Sequence, residues 1–422
     1  MNITVISAYT WFNKGDAAIL LGTVNEINEF FKAKGVQDLS FNILTFTPKI
    51  DRSMYTQLAP NIKSVESNLL NPYPVKKTKV HKSIAILKLA FRYMYLKLMV
   101  VVNFNRLISK SKSLILCDKS DIIIVCGGGF LGGNKYNSLI HLAQINIVKK
   151  LNKKMILWGT SIEPPRKKLL KKITEKQLST LDCILPREEV TSSYINKWFP
   201  TNQIKNTPDL AFKTPYLKTS KIEKKFFEVK EKALEKKIIG VTMREWNFPK
   251  SKDPKERKEN YEKALVNLIN YKNKDTLFVF IPQVIMEGDD DRIFAKRIQN
   301  MLIDSNSLFI IEDDFSPYEL KWIISKFDQF LGTRMHSNIF SSSMFLPPVA
   351  IAYEKKTNGI MDKLGLGDYV VDIENVTAEV LMDLLEKNSK NKMVLQKNLI
   401  NKMNSINKEI RIATEFVLSE EI

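Results

Sequence analysis

The sequence predicts an α/β protein of two doubly wound parallel sheets, one in each half of the chain, facing one another across a cleft. Three observations predict it. Short apolar runs alternate with longer amphipathic stretches, which implies parallel strands joined by helical crossovers. The apolar runs are continuous and rich in Ile, Val and Leu, as strands covered on both faces require. The alternation breaks once, near the middle, and leaves about five or six strands on each side, enough for one sheet each.

In the first half, strands are expected at Ile3–Ser7, Asn42–Phe46, Ile122–Cys126, Met155–Gly159 and Cys183–Pro186. Amphipathic helices are expected at Asp16–Phe31, Lys135–Lys150 and Glu188–Trp198. The Lys-rich stretch Pro208–Lys237 shows no strand pattern, so the domain boundary is placed near 205–237. Strands then resume at Ile238–Met243, Leu277–Ile281, Leu308–Ile311, Gln329–Gly332, Val349–Tyr353 and Tyr369–Val371, with helices at Lys258–Ile269 and Asp290–Leu302. The tail from Thr377 to about Ser419 reads as helices. Two Rossmann-like domains follow, over residues 1–210 and 211–422.

Composition narrows the function. A chain of 422 residues with 44% hydrophobic residues excludes wholesale disorder. The net charge of +19 points to an anionic partner: phosphates, acidic lipid headgroups or nucleic acid. The basic patches lack the aromatic interleaving of a stacking surface, so no nucleic-acid partner is expected. Cys117, Cys126 and Cys183 are odd in number and show no CxxC spacing, which argues against a disulfide framework or zinc site and fits a reducing compartment. The start of the chain does not read as a signal peptide, and no apolar window is long enough to span a bilayer; a cytoplasmic protein is expected. One segment stands apart. Lys76–Lys119 holds eleven Lys or Arg against the single acid Asp118, which is +10 of the total. Its apolar core is interrupted by Lys88, Arg92 and Lys97. It fits either a packed helix with solvated lysines or a helix lying on anionic lipid.

Three histidines exist, and histidine is the side chain best suited to proton transfer near neutral pH. His81 sits in the basic stretch and His141 in an expected helix, both consistent with structural roles. His336 lies in Thr333-Arg334-Met335-His336-Ser337, at the carboxyl end of a strand and the start of a helix. Open α/β sheets bind ligands there, and helix N-terminal amides favour an anion. Arg334 adds a fork-shaped donor for carboxylate or phosphate. Arg187 and Arg244 also follow strands, as do Lys355 and Lys356. The run Gly127-Gly128-Gly129 reads as a turn permitting close backbone approach to a ligand. It matches neither GxGxxG after the first strand nor a P-loop, so neither a dinucleotide-binding turn nor a P-loop is supported. Asn13 and Asp16 follow the first strand, with Asp16 placed to cap a helix. Asp209 is either a turn residue or a tether at the crossover between the halves. Asp289, Asp290 and Asp291 are expected to charge and cap a helix start, and no metal site is expected.

These residues sit in segments that together resemble the polysaccharide pyruvyl transferase family: FNKGDAAIL (12–20), DIIIVCGGGFLGG (121–133), ILWGTSIEPP (156–165), LPREEVTSSY (185–194), TPDLAF (207–212), GVTMREW (240–246) and the long run from Asp328 to Leu366. Two positions depart from the pattern: Glu163 stands where the family commonly has a glycine, and Gln283 where a histidine is frequent. The resemblance implies a GT-B-like fold and an enzyme that moves pyruvate from phosphoenolpyruvate onto a sugar as a ketal, releasing phosphate, in building surface polysaccharide or capsule. It implies an N-terminal acceptor side and a C-terminal phosphoenolpyruvate side. His336 would handle the proton, Arg334 and Arg187 would bind the donor's anions, and Lys356 and Arg244 would assist. Gly128, Gly129, Asp16 and Asn13 would line the substrates. The acceptor would be a sugar or a lipid-linked oligosaccharide. The resemblance also implies that no nucleotide or redox cofactor is required. A nucleotide-sugar glycosyltransferase on the same fold is the alternative, since fold does not fix function. A non-catalytic binder exploiting the charge is the third reading.

Overall fold

The structure, a computed structural model, describes residues 1–72, 79–101, 111–133, 137–249 and 251–419. Lys76, Lys77, Arg106 and Lys135 lie outside the described residues, as does the side chain of His81. The chain divides into two compact units. Unit 1 comprises Met1–Trp11, Asp16–Lys213 and Lys408 onward; unit 2 comprises Phe12–Gly15 and Thr214–Asn407.

Unit 1 is built on a parallel sheet of seven strands: β1 (Asn2–Ala8), β2 (Ser40–Thr45), β3 (Ile62–Ser67), β4 (Ile122–Val125), β5 (Gly128–Gly132), β6 (Lys154–Glu163) and β7 (Cys183–Pro186). The order is β3-β2-β1-β4-β6, and β6 pairs with both β5 and β7. β1, β4 and β7 are buried along nearly their whole length, which is why they read as uninterrupted apolar runs. Helices cover the sheet, and Ile123, Val125, Leu142, Ile145, Met155 and Leu157 sit in its core.

The glycine run departs from expectation. It is not a turn but the strand β5. Thr160 pairs with Gly128 on one side and Pro186 on the other, so β5 continues the line of β4 along the same edge of β6. Glycine is required there because the backbones crowd. A Cβ on Gly132, whose φ is +78°, would lie 2.1 Å from the Glu163 carbonyl oxygen.

Unit 2 holds a six-stranded parallel sheet in the order β12-β9-β8-β13-β14-β15. Its strands are β8 (Lys237–Thr242), β9 (Thr276–Phe280), β12 (Leu308–Ile310), β13 (Gln329–Gly332), β14 (Pro348–Ala352) and β15 (Val370–Asp372); a small hairpin, β10 (Ile285–Met286) and β11 (Asp289–Asp290), stands apart. The stretch after Pro208, which showed no strand, contains the helix Ser220–Ala233, capped by the Thr219 hydroxyl accepting from the Ile222 N–H. Phe12–Gly15 adds an extra segment to this unit. Asn13 bridges Val284 antiparallel, the Lys14 N–H donates to the Gln283 carbonyl at 2.8 Å, and the Ile285 N–H donates to the Phe12 carbonyl at 2.9 Å.

Candidate functional site

In unit 1 Asp16, Gly128, Gly129 and Arg187 gather just past the carboxyl ends of β4 and β7, at the start of β5. Arg187 follows β7 directly, and its N–H donates to the Thr160 carbonyl at 3.2 Å. Its Nε donates to the Ser161 hydroxyl at 2.8 Å and its Nη1 to the Asp209 carboxylate at 2.5 Å. Both partners of that ion pair are buried. Asp209 also accepts from the Ala211 N–H at 2.9 Å, so it is the fixed counter-charge of Arg187 inside unit 1. The Nη2 atom lies nearest the glycine strand, 3.8 Å from where a Cβ on Gly129 would stand. The Asp16 carboxylate lies equally close to such a position on Gly128. Burial, reinforced by Asp16, pushes the neighbouring Cys126 thiol well above its usual range, so it is no nucleophile. His141 is stacked on Phe130 at 4.1 Å between ring centroids, and burial pulls it down to about 3. It is a neutral packing residue.

In unit 2 the ends of β8 and β13 carry the second group. The Thr242 hydroxyl accepts from the Thr333 N–H at 3.0 Å and shares a 2.9 Å hydrogen bond with Ser337, fixing the turn that carries Arg334 and His336. The imidazole of His336, in the first turn of the helix Met335–Ser343, lies flat against Gly15. A Cβ on Gly15 would stand 2.1 Å from His336 Nδ1 and 2.5 Å from its Cγ. This glycine adopts no unusual φ; it is there for space.

Arg334 does not project into open solvent. Its Nε donates to Asp291 Oδ2 at 3.2 Å, its Nη2 pairs with Asp291 Oδ1, and a longer 3.4 Å contact reaches Asp289. Burial disfavours its charge, but the Asp291 carboxylate outweighs that and holds the guanidinium above the ordinary arginine value. Asp291 also accepts from the N–H groups of Gln283 and Val284. The acidic run therefore does more than cap a helix. Asp290 is the cap, accepting from the Arg292 N–H, while Asp291 holds Arg334.

Arg244 stacks over the Tyr353 ring at 4.5 Å and the Trp246 ring at 5.3 Å. Lys356, in the first turn of the helix Lys355–Lys363, pairs with Glu354 at 2.5 Å and is 35% exposed at its side chain. Asn13 accepts from the Gly15 N–H at 3.1 Å. Two polar residues of this unit are buried without any local signal of it in the sequence. Lys14 is fully buried and paired with Asp314. Gln283 is buried with neither its amide nitrogen nor its amide oxygen hydrogen-bonded among the described residues. A glycine one residue inside a helix was the available signal for Gly15. Nothing local marks Asp291 as a partner of Arg334.

Comparisons with known proteins agree with the sequence resemblance. The profile of the polysaccharide pyruvyl transferase family matches residues 13–355. The chain is 24% identical over 384 residues to the amylovoran biosynthesis protein AmsJ of Erwinia amylovora, covering 89% of each protein. Among solved structures it is similar to the UDP-GlcNAc 2-epimerase of Methanocaldococcus jannaschii (TM-score 0.55, 14% identity, 92% of each chain). It is also similar to the N-terminal domain of trehalose-6-phosphate phosphatase of Candida albicans (TM-score 0.57, 13% identity, 100% of this chain and 97% of that one). At such identities the likeness concerns the fold alone, which is GT-B-like.

Proposed function

The chain belongs to the polysaccharide pyruvyl transferase family, and from that premise we propose that it transfers pyruvate from phosphoenolpyruvate to a sugar or lipid-linked oligosaccharide during surface-polysaccharide synthesis. We place it in the cytoplasm, at the inner face of the membrane. The product is a ketal bridging two hydroxyls.

The donor carries a carboxylate and a phosphate. Arg334 and Arg187 meet these anions, with Lys356 and Arg244 assisting. His336 delivers a proton to the methylene carbon, which becomes a methyl group and leaves an oxocarbenium-like centre. One sugar hydroxyl attacks that carbon and loses its proton. The second hydroxyl then displaces phosphate, which departs with the C–O bonding pair and takes up that hydroxyl's proton, its charge stabilised by the cationic donors. Gly128, Gly129, Asp16 and Asn13 serve as backbone and polar contacts to the substrates. No nucleotide or redox cofactor enters the balance.

The observation that carries this reading is the state of the two arginines. Each is held rigid by a carboxylate through part of its fork, and each keeps an edge, Nη1 of Arg334 and Nη2 of Arg187, without a hydrogen bond among the described residues. Guanidinium groups fixed in place but not saturated suit recognition of a second anion. The test is incubation with phosphoenolpyruvate and a panel of sugars. Phosphate release with a mass gain of one pyruvate less water supports the reading. Turnover of a nucleotide sugar, with release of a nucleoside diphosphate and no use of phosphoenolpyruvate, refutes it.

A further inference from the structure

The helix Lys79–Val101 has two apolar faces. One packs into unit 1, where Leu96, Met99 and Val100 are buried in the core and Leu89 and Tyr93 pack against it. Arg92 donates its Nε to the Leu69 carbonyl, and the Tyr93 hydroxyl donates to Asn146 at 2.9 Å, which fixes the helix in rotation. The opposite face is apolar too. Ile84, Leu87, Phe91, Met94, Leu98 and Val101 are all exposed, Phe91 by 75% and Leu98 by 62%. At about 100° per residue these six fall on one stripe, roughly 26 Å long at 1.5 Å per residue. Lys88 and Lys97, nine positions apart, fall about 180° from one another, one on each flank of that stripe.

We infer that this outward stripe docks in the plane of an anionic lipid bilayer, with its apolar side chains in the headgroup–acyl boundary and the ammonium groups of Lys88 and Lys97 reaching the lipid phosphates on either side. Charge selects this occupant. The helix contains no Asp or Glu. A second copy of the chain seated on the stripe would set lysine against lysine with no carboxylate from this helix to meet it. An anionic headgroup layer meets both lysines at once. A parallel orientation follows, because among the described residues no helix is long and apolar enough to cross a membrane. The inference deepens the proposed function by naming how the enzyme would reach a membrane-bound acceptor, but the docking stands on the helix alone.

The test is co-sedimentation of the full chain with phosphatidylcholine vesicles, with and without phosphatidylglycerol. Binding is expected only with the anionic lipid and should weaken with added salt. Lys88→Gln and Lys97→Gln should each lower it about fivefold. The pair Phe91→Ser with Leu98→Ser should lower it about a hundredfold, since two large side chains lose their burial. Both residues are exposed, so the doubly substituted protein should melt as the wild type does. Leu169→Ser, an exposed leucine on another helix, should change nothing. Unchanged vesicle binding by the Phe91/Leu98 variant overturns the inference. So does absence of binding to either vesicle, with a dimer in sedimentation velocity that the same variant disperses; the stripe is then a self-association face. Phosphoenolpyruvate turnover with a soluble sugar should survive in this variant, which separates failure of the docking from failure of the proposed chemistry.

Discussion

Gly15→Ala tests the catalytic role proposed for His336 without substituting the histidine. The new Cβ would stand 2.1 Å from His336 Nδ1 and 2.8 Å from its Cε1. Ordinary carbon–nitrogen contact begins at about 3.4 Å, so the ring must retreat by about 1.3 Å or rotate out of its position. A displacement of about 1 Å at a reacting group costs on the order of 10²-fold in rate, or about 2.7 kcal/mol of barrier. Stability should suffer much less. Overpacking costs about 1–3 kcal/mol, and a helical Gly→Ala change returns up to about 1 kcal/mol of it. The assay is phosphate release from phosphoenolpyruvate beside a thermal melt of the same preparation. A fall in kcat of about a hundredfold with a melt lowered by a few degrees is expected. In a His336→Ala background the added methyl has no ring to strike, and the residual rate should fall no further. Near-normal turnover in Gly15→Ala, or a further loss in the double variant, would refute the placement of His336 at the chemistry.

Arg334→Lys should lower kcat/KM by about 10²-fold, because a point charge cannot hold the two Asp291 oxygens and still present a planar edge to substrate; steady-state kinetics showing less than a twofold change would remove Arg334 from the donor site. Asp291→Asn should destabilise the fold by about 3–5 kcal/mol in urea unfolding, since Arg334 is left buried without its counter-charge. Gln283→Met should raise stability by about 1–2 kcal/mol, as it removes a buried amide with no hydrogen-bond partner among the described residues; an equal loss would mean the amide is satisfied. Lys321 is buried, and burial pulls its ammonium from 10.5 to about 7. Between those values the unfolded chain holds a proton that the folded chain lacks, so stability should climb as pH rises from about 7 to 10.5. Lys321→Met should abolish that climb and be the more stable protein below pH 7, by up to about 5 kcal/mol in urea titrations.

The fully buried strands were legible because burial on both faces leaves no alternation to confuse: Ile122–Val125 and Cys183–Pro186 are buried at every position. Four other strands were not legible, for separate reasons. β3 lies at the sheet edge and is only partly buried, so Ile62–Ser67 carries polar residues that dilute the run. β5 has three glycines in its five residues, and Phe130 and Leu131 alone leave no period to read. β10 and β11 are two residues each, too short for any pattern. The helix Ser220–Ala233 hid in a stretch judged only for strands, although Thr219 and Glu223 announce its start.

The candidate site divides along the same line. Arg187, Arg334 and His336 could be put forward as candidates from position alone, since each follows a strand. Their partners could not, because Asp209 lies 22 residues from Arg187 and Asp291 lies 43 residues from Arg334, and only the fold brings them together. That pairing changes what the net charge means. Reading +19 directly as affinity for an anionic substrate assumes cations standing free in the site, whereas the two strand-end arginines named for the donor arrive with carboxylates attached. Their local contribution is close to neutral, and the donor recognition proposed for them would rest on geometry. More than half of the excess, +10, lies instead between Lys76 and Lys119, the segment that contains the two-faced helix. Salt should therefore separate the two roles. Screening acts on exposed charges and spares buried pairs, so rising ionic strength should strip the protein from anionic vesicles at concentrations that leave turnover of a small soluble acceptor almost unchanged.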